Sequence, residues 1–267
     1  MQKEVYVRTP AWWEEGGGYY TPAYFNQNQS KCFDPVFVQW QNEALTGILR
    51  PVRKSAILDV GCGLGQVSAE FARRGHNMTG FDLNGPFLIR AKKDAERERL
   101  SIRFVKGDMR TLPFPDESFD HVLCVGPAFG IFPSLEDDRK TLQEMARVVR
   151  PGGRVLIEQW AKERSDDRNA PLEWTEPNQD GTKIAFRAWG KRGRAYVSIN
   201  DPRAAVPVTI DYKIYTVQEI SECFSLLGLS SIRATYWTWW MNAETTEEGT
   251  GDMEARRLIV TAEKPRR

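Results

Sequence analysis

The stretch Asp59-Val60-Gly61-Cys62-Gly63-Leu64-Gly65 decides the fold. It joins a short apolar run that begins at Ala56, typical of a buried strand, to a helical pattern that begins at Gln66. Its three glycines allow a tight turn and let a ligand approach the backbone closely. A strand, a glycine-rich turn and a helix in this order indicate the ligand-binding edge of an α/β sheet.

The alternation of strands and helices continues along residues 55–159. After the first strand, we expect strands at 77–82, 102–105, 121–125 and 154–159. Asn84 and Ser134 are expected to begin two of the helices between them, because their side chains can accept hydrogen bonds from the first free backbone amides. This spacing predicts a parallel sheet of right-handed βαβ units, which binds ligands at the carboxyl ends of its strands.

The chain divides into four predicted parts. They are an N-terminal lid segment and helix at 1–50, a ligand-binding core at 51–160, an inserted antiparallel cap at 161–215 and a part at 216–267 that completes the sheet. Within the cap, where the βα rhythm is lost, antiparallel strands are expected at 183–189, 194–199 and 206–215. Thereafter Thr216 and Glu219 form a capping box for a helix, and two strands follow, around 232–240 and 257–262.

Three acidic residues lie at or just after the ends of three consecutive strands of the core. Asp59 precedes the first glycine by two residues, which suits an ammonium group better than a pyrophosphate, and the third glycine of a dinucleotide fingerprint would fall on Gln66. Asp82 can accept from both hydroxyls of a ribose. Asp108 can accept from an adenine amino group. An amine, a ribose and an adenine occur together in S-adenosylmethionine.

Five segments in this order resemble the class I S-adenosylmethionine-dependent methyltransferases. The segments are 59–65, 80–83, 107–109, 118–122 and 148–153. The resemblance implies a Rossmann-like, doubly wound α/β sheet of seven strands with the last strand antiparallel, here with the small antiparallel β insertion acting as a lid.

The resemblance also implies how the donor is held. The glycine loop would approach the methionine end, Asp82 the ribose, Asp108 with Met109 the adenine, and Val125 with Gly126 the sulfonium. The full set of expected donor-binding residues is Asp59, Gly61, Cys62, Gly63, Gly65, Asp82, Leu83, Asp108, Met109, Val125 and Gly126.

Acid–base catalysis has few candidates in this sequence. The two histidines, His76 and His121, are both expected at the amino-terminal edge of the sheet, away from the donor. A general base is needed only if the acceptor must lose a proton. Catalysis by proximity, or by a carboxylate or tyrosine base, is therefore expected, with Glu158, Tyr20 and Tyr24 as the candidate groups.

The large aromatic residues indicate where an acceptor binds. All nine tryptophans lie outside residues 51–158, and the parts expected to form the lid carry five of them. Such rings can stack on a planar acceptor or face a cation, and they can equally pack the antiparallel layer against the sheet. The expected acceptor-binding residues are Phe129, Trp160, Trp189, Tyr215 and Trp239.

Composition excludes several classes of function. The chain has 267 residues, a net charge of +1 and no concentrated basic stripe, which argues against a nucleic-acid partner. The first ten residues lack the apolar core of a signal peptide, and no apolar run reaches the length of a membrane span. The four cysteines are scattered without metal-ligand spacing. A cytoplasmic enzyme without a metal ion is therefore expected, and its oligomeric state is left open.

The expected function is transfer of a methyl group from S-adenosylmethionine to a nitrogen or oxygen of a small molecule. The reaction would be an in-line displacement driven mainly by proximity and orientation. Two alternatives stay open, namely a protein methyltransferase and a catalytically silent module that binds S-adenosylmethionine.

Overall fold

The computed structural model describes residues 35–52, 54–126, 128–160, 171–177, 181–191, 193–202, 208–245 and 250–266. The helices are α1 (Pro35–Leu49), α2 (Gln66–Arg73), α3 (Gly85–Arg97), α4 (Leu135–Val148) and α5 (Val217–Leu226). The first five strands are β1 (Ala56–Val60), β2 (Asn77–Asp82), β3 (Ile102–Lys106), β4 (Phe119–Cys124) and β5 (Val149–Trp160). The other six are β6 (Leu172–Pro177), β7 (Lys183–Lys191), β8 (Arg194–Asn200), β9 (Val208–Lys213), β10 (Ser230–Thr245) and β11 (Thr250–Glu263).

The described strands form one sheet in the order β3-β2-β1-β4-β5-β11-β10-β6-β7-β8-β9. Strand β1 pairs in parallel with β2 and β4, and the parallel pairing extends outward to β3 and β5. Strand β11 runs antiparallel to both β5 and β10. The first seven strands in this order are therefore a doubly wound sheet whose last strand in sequence is antiparallel, and the expected fold is confirmed.

Helices cover both faces of the parallel strands. Leu58 and Val60 of β1 face a core cluster that includes residues of α4 and α5. Ile57 faces a second cluster, in which Leu45 and Leu49 of α1 are fully buried. Alternate residues of each strand thus enter opposite cores, which explains why the β1 sequence is apolar almost throughout.

The helix starts follow from side-chain capping. The Asn84 side chain accepts a hydrogen bond from the Phe87 amide at 3.1 Å, and Ser134 caps α4 in the same way. Thr216 and Glu219 form the expected reciprocal capping box at the start of α5. Each such cap stabilises the folded chain by about 1 kcal/mol, so these boundaries are set locally.

The insertion differs from the sequence prediction in strand number and attachment. It contains four antiparallel strands, because β6 pairs with β7 along its whole length. Strand β6 also pairs with the end of β10, through Glu244 opposite Thr175 and Thr245 opposite Trp174. The insertion therefore continues the main sheet and is not a separate layer. Both β10 and β11 are longer than expected, since they pair along their polar ends as well.

Part of the expected N-terminal lid lies outside the described residues. Residues 1–34, with the candidate bases Tyr20 and Tyr24, belong to that part. Helix α1 supplies the remainder of the segment and packs on the sheet through Leu45 and Leu49. Within the described ranges, every helix is too short or too polar to cross a membrane.

Candidate active site

The glycine loop between β1 and α2 has the open geometry that its sequence predicts. Gly61, Gly63 and Gly65 have φ angles of 73°, 53° and 75°, in the left-handed region that favours glycine. The Gly61 amide donates to the Phe81 carbonyl of β2 at 2.8 Å, which fixes the loop against the sheet. A Cβ atom on Gly61 would lie 2.6 Å from that of Ala128, whereas one on Gly63 would meet no atom within 4 Å. The loop therefore borders open space at Gly63.

Helix α2 begins at this loop with unsatisfied backbone donors. Its N-cap residue is Gly65, and no side chain caps the helix. The first amides of a helix lack intrahelical partners and carry the positive end of the helix dipole. This helix start is consequently suited to an anionic group such as a carboxylate.

Asp82 holds the loop from the end of β2. Its Oδ2 accepts from the Gly63 amide and its Oδ1 from the Asn84 amide, both at 2.8 Å. Burial raises the pKa of Asp82, and these backbone hydrogen bonds oppose the rise. Each carboxylate oxygen can accept more than one hydrogen bond, so Asp82 retains capacity for hydroxyl groups.

Asp59 and Cys62 lie behind the loop. Asp59 is only 2% exposed, and its Oδ2 accepts from the Ser68 hydroxyl of α2 at 2.7 Å. Burial and the charge of Asp82 raise the pKa of Asp59 to about 6, although the hydrogen bond from Ser68 opposes the rise. Burial also raises the pKa of the Cys62 thiol well above its usual value. The side chains of Asp59 and Cys62 are thus buried among protein atoms, and only the backbone of Cys62 borders the cleft.

Asp108 follows β3 and is held by Arg110. The guanidinium Nη2 lies 2.6 Å from the Asp108 carboxylate, and the same side chain reaches Asp137 of α4. Burial disfavours the charged form of Asp108, but the hydrogen bonds and charge of Arg110 outweigh it and lower the pKa. Met109 is half-buried beside the core, and its methyl group lies 4.0 Å from the Cβ position of Gly61. The structure therefore brings the three acids and Met109 to one region around the loop.

Gly126 lies at the same edge, directly after β4. Its φ angle is 82°, and its amide donates to Glu158 Oε2 at 2.8 Å. Val125 is half-buried against the core cluster below α1, and Leu83 is half-buried after β2. The expected donor-binding residues thus lie at the carboxyl ends of β1, β2, β3 and β4 or on the loops that follow them.

The candidate base Glu158 is fully buried in an ion pair. Arg257 Nε and Nη2 each contact one of its oxygens, and the Gly126 amide contacts Oε2 as well. The Trp160 ring lies 4.6 Å from the Arg257 guanidinium carbon and covers it. Glu158 is therefore occupied by protein donors rather than poised as an exposed base. Arg257 was not among the predicted site residues, and the available signal for it is an arginine directly before the apolar run 258–260.

Two of the expected acceptor residues lie on opposite faces of the insertion. Trp160 packs against the apolar cluster of β8 and β9, which includes Ala195, Ile210 and Tyr212. Trp189 stacks on Tyr196, which neighbours Ala195 along β8 and so points to the other face. The structure therefore does not bring Trp189 to the surface that contacts Trp160. The side chain of Trp239 lies outside the described residues.

Phe129 and Tyr215 meet in a side cavity. Their ring centres are 5.0 Å apart, and the Tyr215 hydroxyl donates to Asp138 Oδ2 at 2.6 Å. Burial raises the pKa of Asp138 to about 6 and raises that of Tyr215 as well. The cavity has a volume of about 150 Å³, lies between α4 and α5 and is lined by none of the expected donor-binding residues.

The histidines lie far from the donor loops. His76 directly precedes β2, and His121 pairs with Ile57 near the start of β1, so both mark the amino-terminal edge of the sheet. Burial lowers the pKa of both, to about 4 for His121. Among the described residues, no group of three or more His, Cys, Asp or Glu side chains is arranged to hold a metal ion.

Comparison with known proteins shows what the central part of the chain is similar to. Residues 58–157 match a family model described as a methyltransferase domain. A demethylmenaquinone methyltransferase of Thermus thermophilus is 36% identical over 157 residues, which are 58% of this chain and 63% of that protein. A sterol 24-C-methyltransferase of Pneumocystis carinii is 35% identical over 118 residues, which are 43% of this chain and 30% of that protein. The chain thus spans less than two thirds of these curated relatives.

Solved structures share the fold over most of the chain. An S-adenosylmethionine-dependent methyltransferase from Clostridium acetobutylicum superposes with a TM-score of 0.66 at 12% identity, over 91% of this chain and 96% of that one. An amino pentose methyltransferase from Micromonospora echinaspora, solved with its donor bound, gives 0.58 at 22% identity, over 85% and 90%. Residues 58–157 are thus similar to methyltransferase domains, and the chain shares its fold with S-adenosylmethionine-dependent methyltransferases.

Proposed function

We propose that this chain transfers a methyl group from S-adenosylmethionine to a nitrogen or oxygen of a small molecule. The observation that supports this best is the glycine loop, which borders open space at Gly63 and is tied to the Asp82 carboxylate. An amino-acid group fits between this loop and the uncapped start of α2, and a ribose fits at Asp82.

The remaining donor contacts follow from the same edge of the sheet. We assign the adenine to Asp108 and Met109, and the sulfonium to Val125 and Gly126. Leu83 and the backbone of Cys62 border the donor, and Asp59 acts from behind the loop. Gly61 and Gly65 complete the turn that admits the donor.

The donor supplies an activated methyl group, and the chain supplies position. Holding the acceptor atom about 3–3.5 Å from the methyl carbon can provide most of the acceleration. A neutral amine needs no base to attack, and both histidines lie at the opposite edge of the sheet. The protein's main tasks are therefore orientation and the exclusion of water.

We further propose, from the sequence, that the N-terminal segment at 1–50 and the insertion at 161–215 form the lid over the acceptor, while 51–160 and 216–267 form the catalytic core. The apolar cluster of the insertion is buried against Trp160, and the half-buried Trp160 ring suits an acceptor with an apolar body. The names of two relatives, a demethylmenaquinone methyltransferase and a sterol 24-C-methyltransferase, support the apolar body of the acceptor and not the choice of nitrogen or oxygen as the methylated atom. Phe129, Tyr215 and Trp239 stay in the proposed acceptor set, whereas the outward face of Trp189 argues for a structural role.

A cytoplasmic location is part of the proposal. Cys62, Cys124 and Cys223 are free thiols, as expected in a reducing compartment. The partner is proposed to be a small molecule rather than nucleic acid or a membrane, because the near-neutral charge offers no strong attraction to anionic surfaces.

Two measurements test the proposal. Calorimetry with S-adenosylhomocysteine should show binding to one site. Incubation with methyl-¹³C S-adenosylmethionine and a panel of amines, phenols and peptides should then give labelled small molecules. Labelling of peptides alone would favour a protein methyltransferase, and binding without transfer would favour a silent module. The absence of binding would refute the donor site itself.

A further inference from the structure

We propose that Glu158 and Arg257 form a positioning pair that holds Gly126 beside the donor methyl group. The inference rests on the proposed function, because it assigns the pair a task in the same cleft. Neither residue touches a reacting atom in this scheme. Both act through the backbone of Gly126.

The pair is rigid and shielded from water. Glu158 is 0% exposed on β5, and Arg257 is 4% exposed on the neighbouring antiparallel strand β11. Two guanidinium nitrogens contact the two carboxylate oxygens, and the Trp160 ring covers the guanidinium. A bidentate pair of this kind holds the Glu158 carboxylate in a single orientation.

That orientation directs one oxygen at Gly126. Oε2 accepts from the Gly126 amide at 2.8 Å, immediately after β4 ends. Gly126 has a φ angle of 82°, and a Cβ atom there would meet nothing within 4 Å. A glycine in an open position has wide conformational freedom, so a single hydrogen bond to a fixed acceptor removes much of it.

Stability alone does not account for the pair. Dehydrating two charges offsets most of their attraction, and apolar residues of similar size often stabilise a protein equally well. The distinctive effect of the ion pair is direction. Direction matters in an in-line displacement, where a small misplacement of the reacting groups lowers the rate steeply.

Three variants separate positioning from packing. Glu158→Leu/Arg257→Met removes both charges and the acceptor for the Gly126 amide, while it keeps the site filled. Glu158→Gln/Arg257→Met restores a carbonyl acceptor without charge. Arg257→Lys keeps the charge but loses the bidentate geometry, and it serves if a double variant does not fold.

The readouts are the affinity for S-adenosylhomocysteine, hydrogen exchange of the ¹⁵N-labelled Gly126 amide in that complex, and the signal of bound methyl-¹³C S-adenosylmethionine. For Glu158→Leu/Arg257→Met we expect the affinity for S-adenosylhomocysteine to stay within about threefold of that of the parent. We expect hydrogen exchange of the Gly126 amide to accelerate by more than about tenfold, and the NMR chemical shift of the bound ¹³C-methyl group to change. Glu158→Gln/Arg257→Met should recover part of the protection of the Gly126 amide, and Arg257→Lys should lie between the parent and Glu158→Leu/Arg257→Met.

Other outcomes overturn the inference. Folded variants whose Gly126 exchange and methyl signal match the parent would reduce the pair to packing. A loss of S-adenosylhomocysteine affinity as large as the gain in exchange would assign the pair to donor binding instead. If the parent itself does not bind S-adenosylhomocysteine, the proposed function is contradicted rather than this assignment.

Discussion

At the scale of single residues, Gly63 offers a test of the donor site. Gly63→Ala places a methyl group in the space that the donor would occupy, so we expect a loss of S-adenosylhomocysteine affinity of tenfold or more, about 1.4 kcal/mol. Gly228→Ala is the matched control, because Gly228 also has a positive φ and open surroundings but lies after α5. Both variants carry similar backbone strain. Equal affinities in calorimetry would mean that the loop does not contact the donor.

Asp82 should contribute directly to affinity. Asp82→Ala removes the proposed charge-assisted hydrogen bonds to the ribose and also releases the Gly63 amide, so we expect binding to weaken by about 1.5–3 kcal/mol. Asp116→Ala removes an exposed carboxylate paired with Arg147 and should leave affinity unchanged. Unaltered binding in a folded Asp82→Ala variant would exclude this residue from the site.

Asp59 should make stability depend on pH. Its pKa of about 6 lies above the ordinary value of 3.8, so the folded chain binds this proton more tightly than the unfolded chain. The stabilisation is therefore present at low pH and is lost as the pH rises from about 4 to 6. Asp59→Asn keeps an acceptor for Ser68 and lacks this titration. Urea unfolding should show the parent losing roughly 3 kcal/mol relative to the variant over that window. A constant difference would contradict the assignment.

The sequence located Asp82 and missed Arg257 for a physical reason. Asp82 ends a strand that the local alternation of strands and helices predicts, so its place at the ligand edge is set locally. Arg257 acquires its role only when β11 pairs with β5 and meets a carboxylate 99 positions earlier. Asp59 falls between these cases, since its position was predicted but its contact with Ser68 depends on how α2 packs.

At the scale of elements, the insertion can be tested through its two faces. Trp160→Ala removes a ring that contacts Arg257 and the apolar cluster, so we expect turnover to fall by more than about tenfold with little change in donor affinity. Trp189→Ala is the control on the opposite face, where the ring stacks on Tyr196. Similar losses of turnover in both variants would mean that the outward face also reaches the acceptor.

The elements of the core were predictable, and those of the insertion were only partly so. Asn84, Ser134 and Thr216 cap their helices as expected, because caps act within three or four residues. Strand β6 was missed because its apolar–polar alternation covers only four residues, 172–175, and prolines stand at 171 and 177. Its pairing with β7 and the far end of β10 is non-local and leaves no periodic signal.

At the scale of the whole molecule, His121 should make the stability of the folded chain decrease at acidic pH. Burial lowers its pKa from 6.5 to about 4, and its Nδ1 has no hydrogen-bond partner in the described structure. The folded chain therefore binds this proton less tightly than the unfolded chain, so stability is lost as the pH falls from 6.5 towards 4.

His121→Gln should flatten this acid dependence in urea unfolding without lowering turnover at neutral pH, because the residue lies at the edge opposite the donor. An NMR titration of the parent measures the pKa directly. An ordinary value for His121, or a collapse of turnover in a variant that binds S-adenosylhomocysteine normally, would contradict this placement.

The pairing of β5 with β11 has a consequence for biogenesis. Strands β1 to β5 leave the ribosome well before β11, and the insertion strands can pair with their sequence neighbours in the meantime. Until the β10–β11 hairpin docks, β5 exposes an unpaired backbone edge, and Glu158 is an apolar-walled carboxylate without its counter-ion. We therefore expect docking of this hairpin to be the slow, late step of folding. Nascent or truncated chains that end before Arg257 should be the species that chaperones and proteases capture.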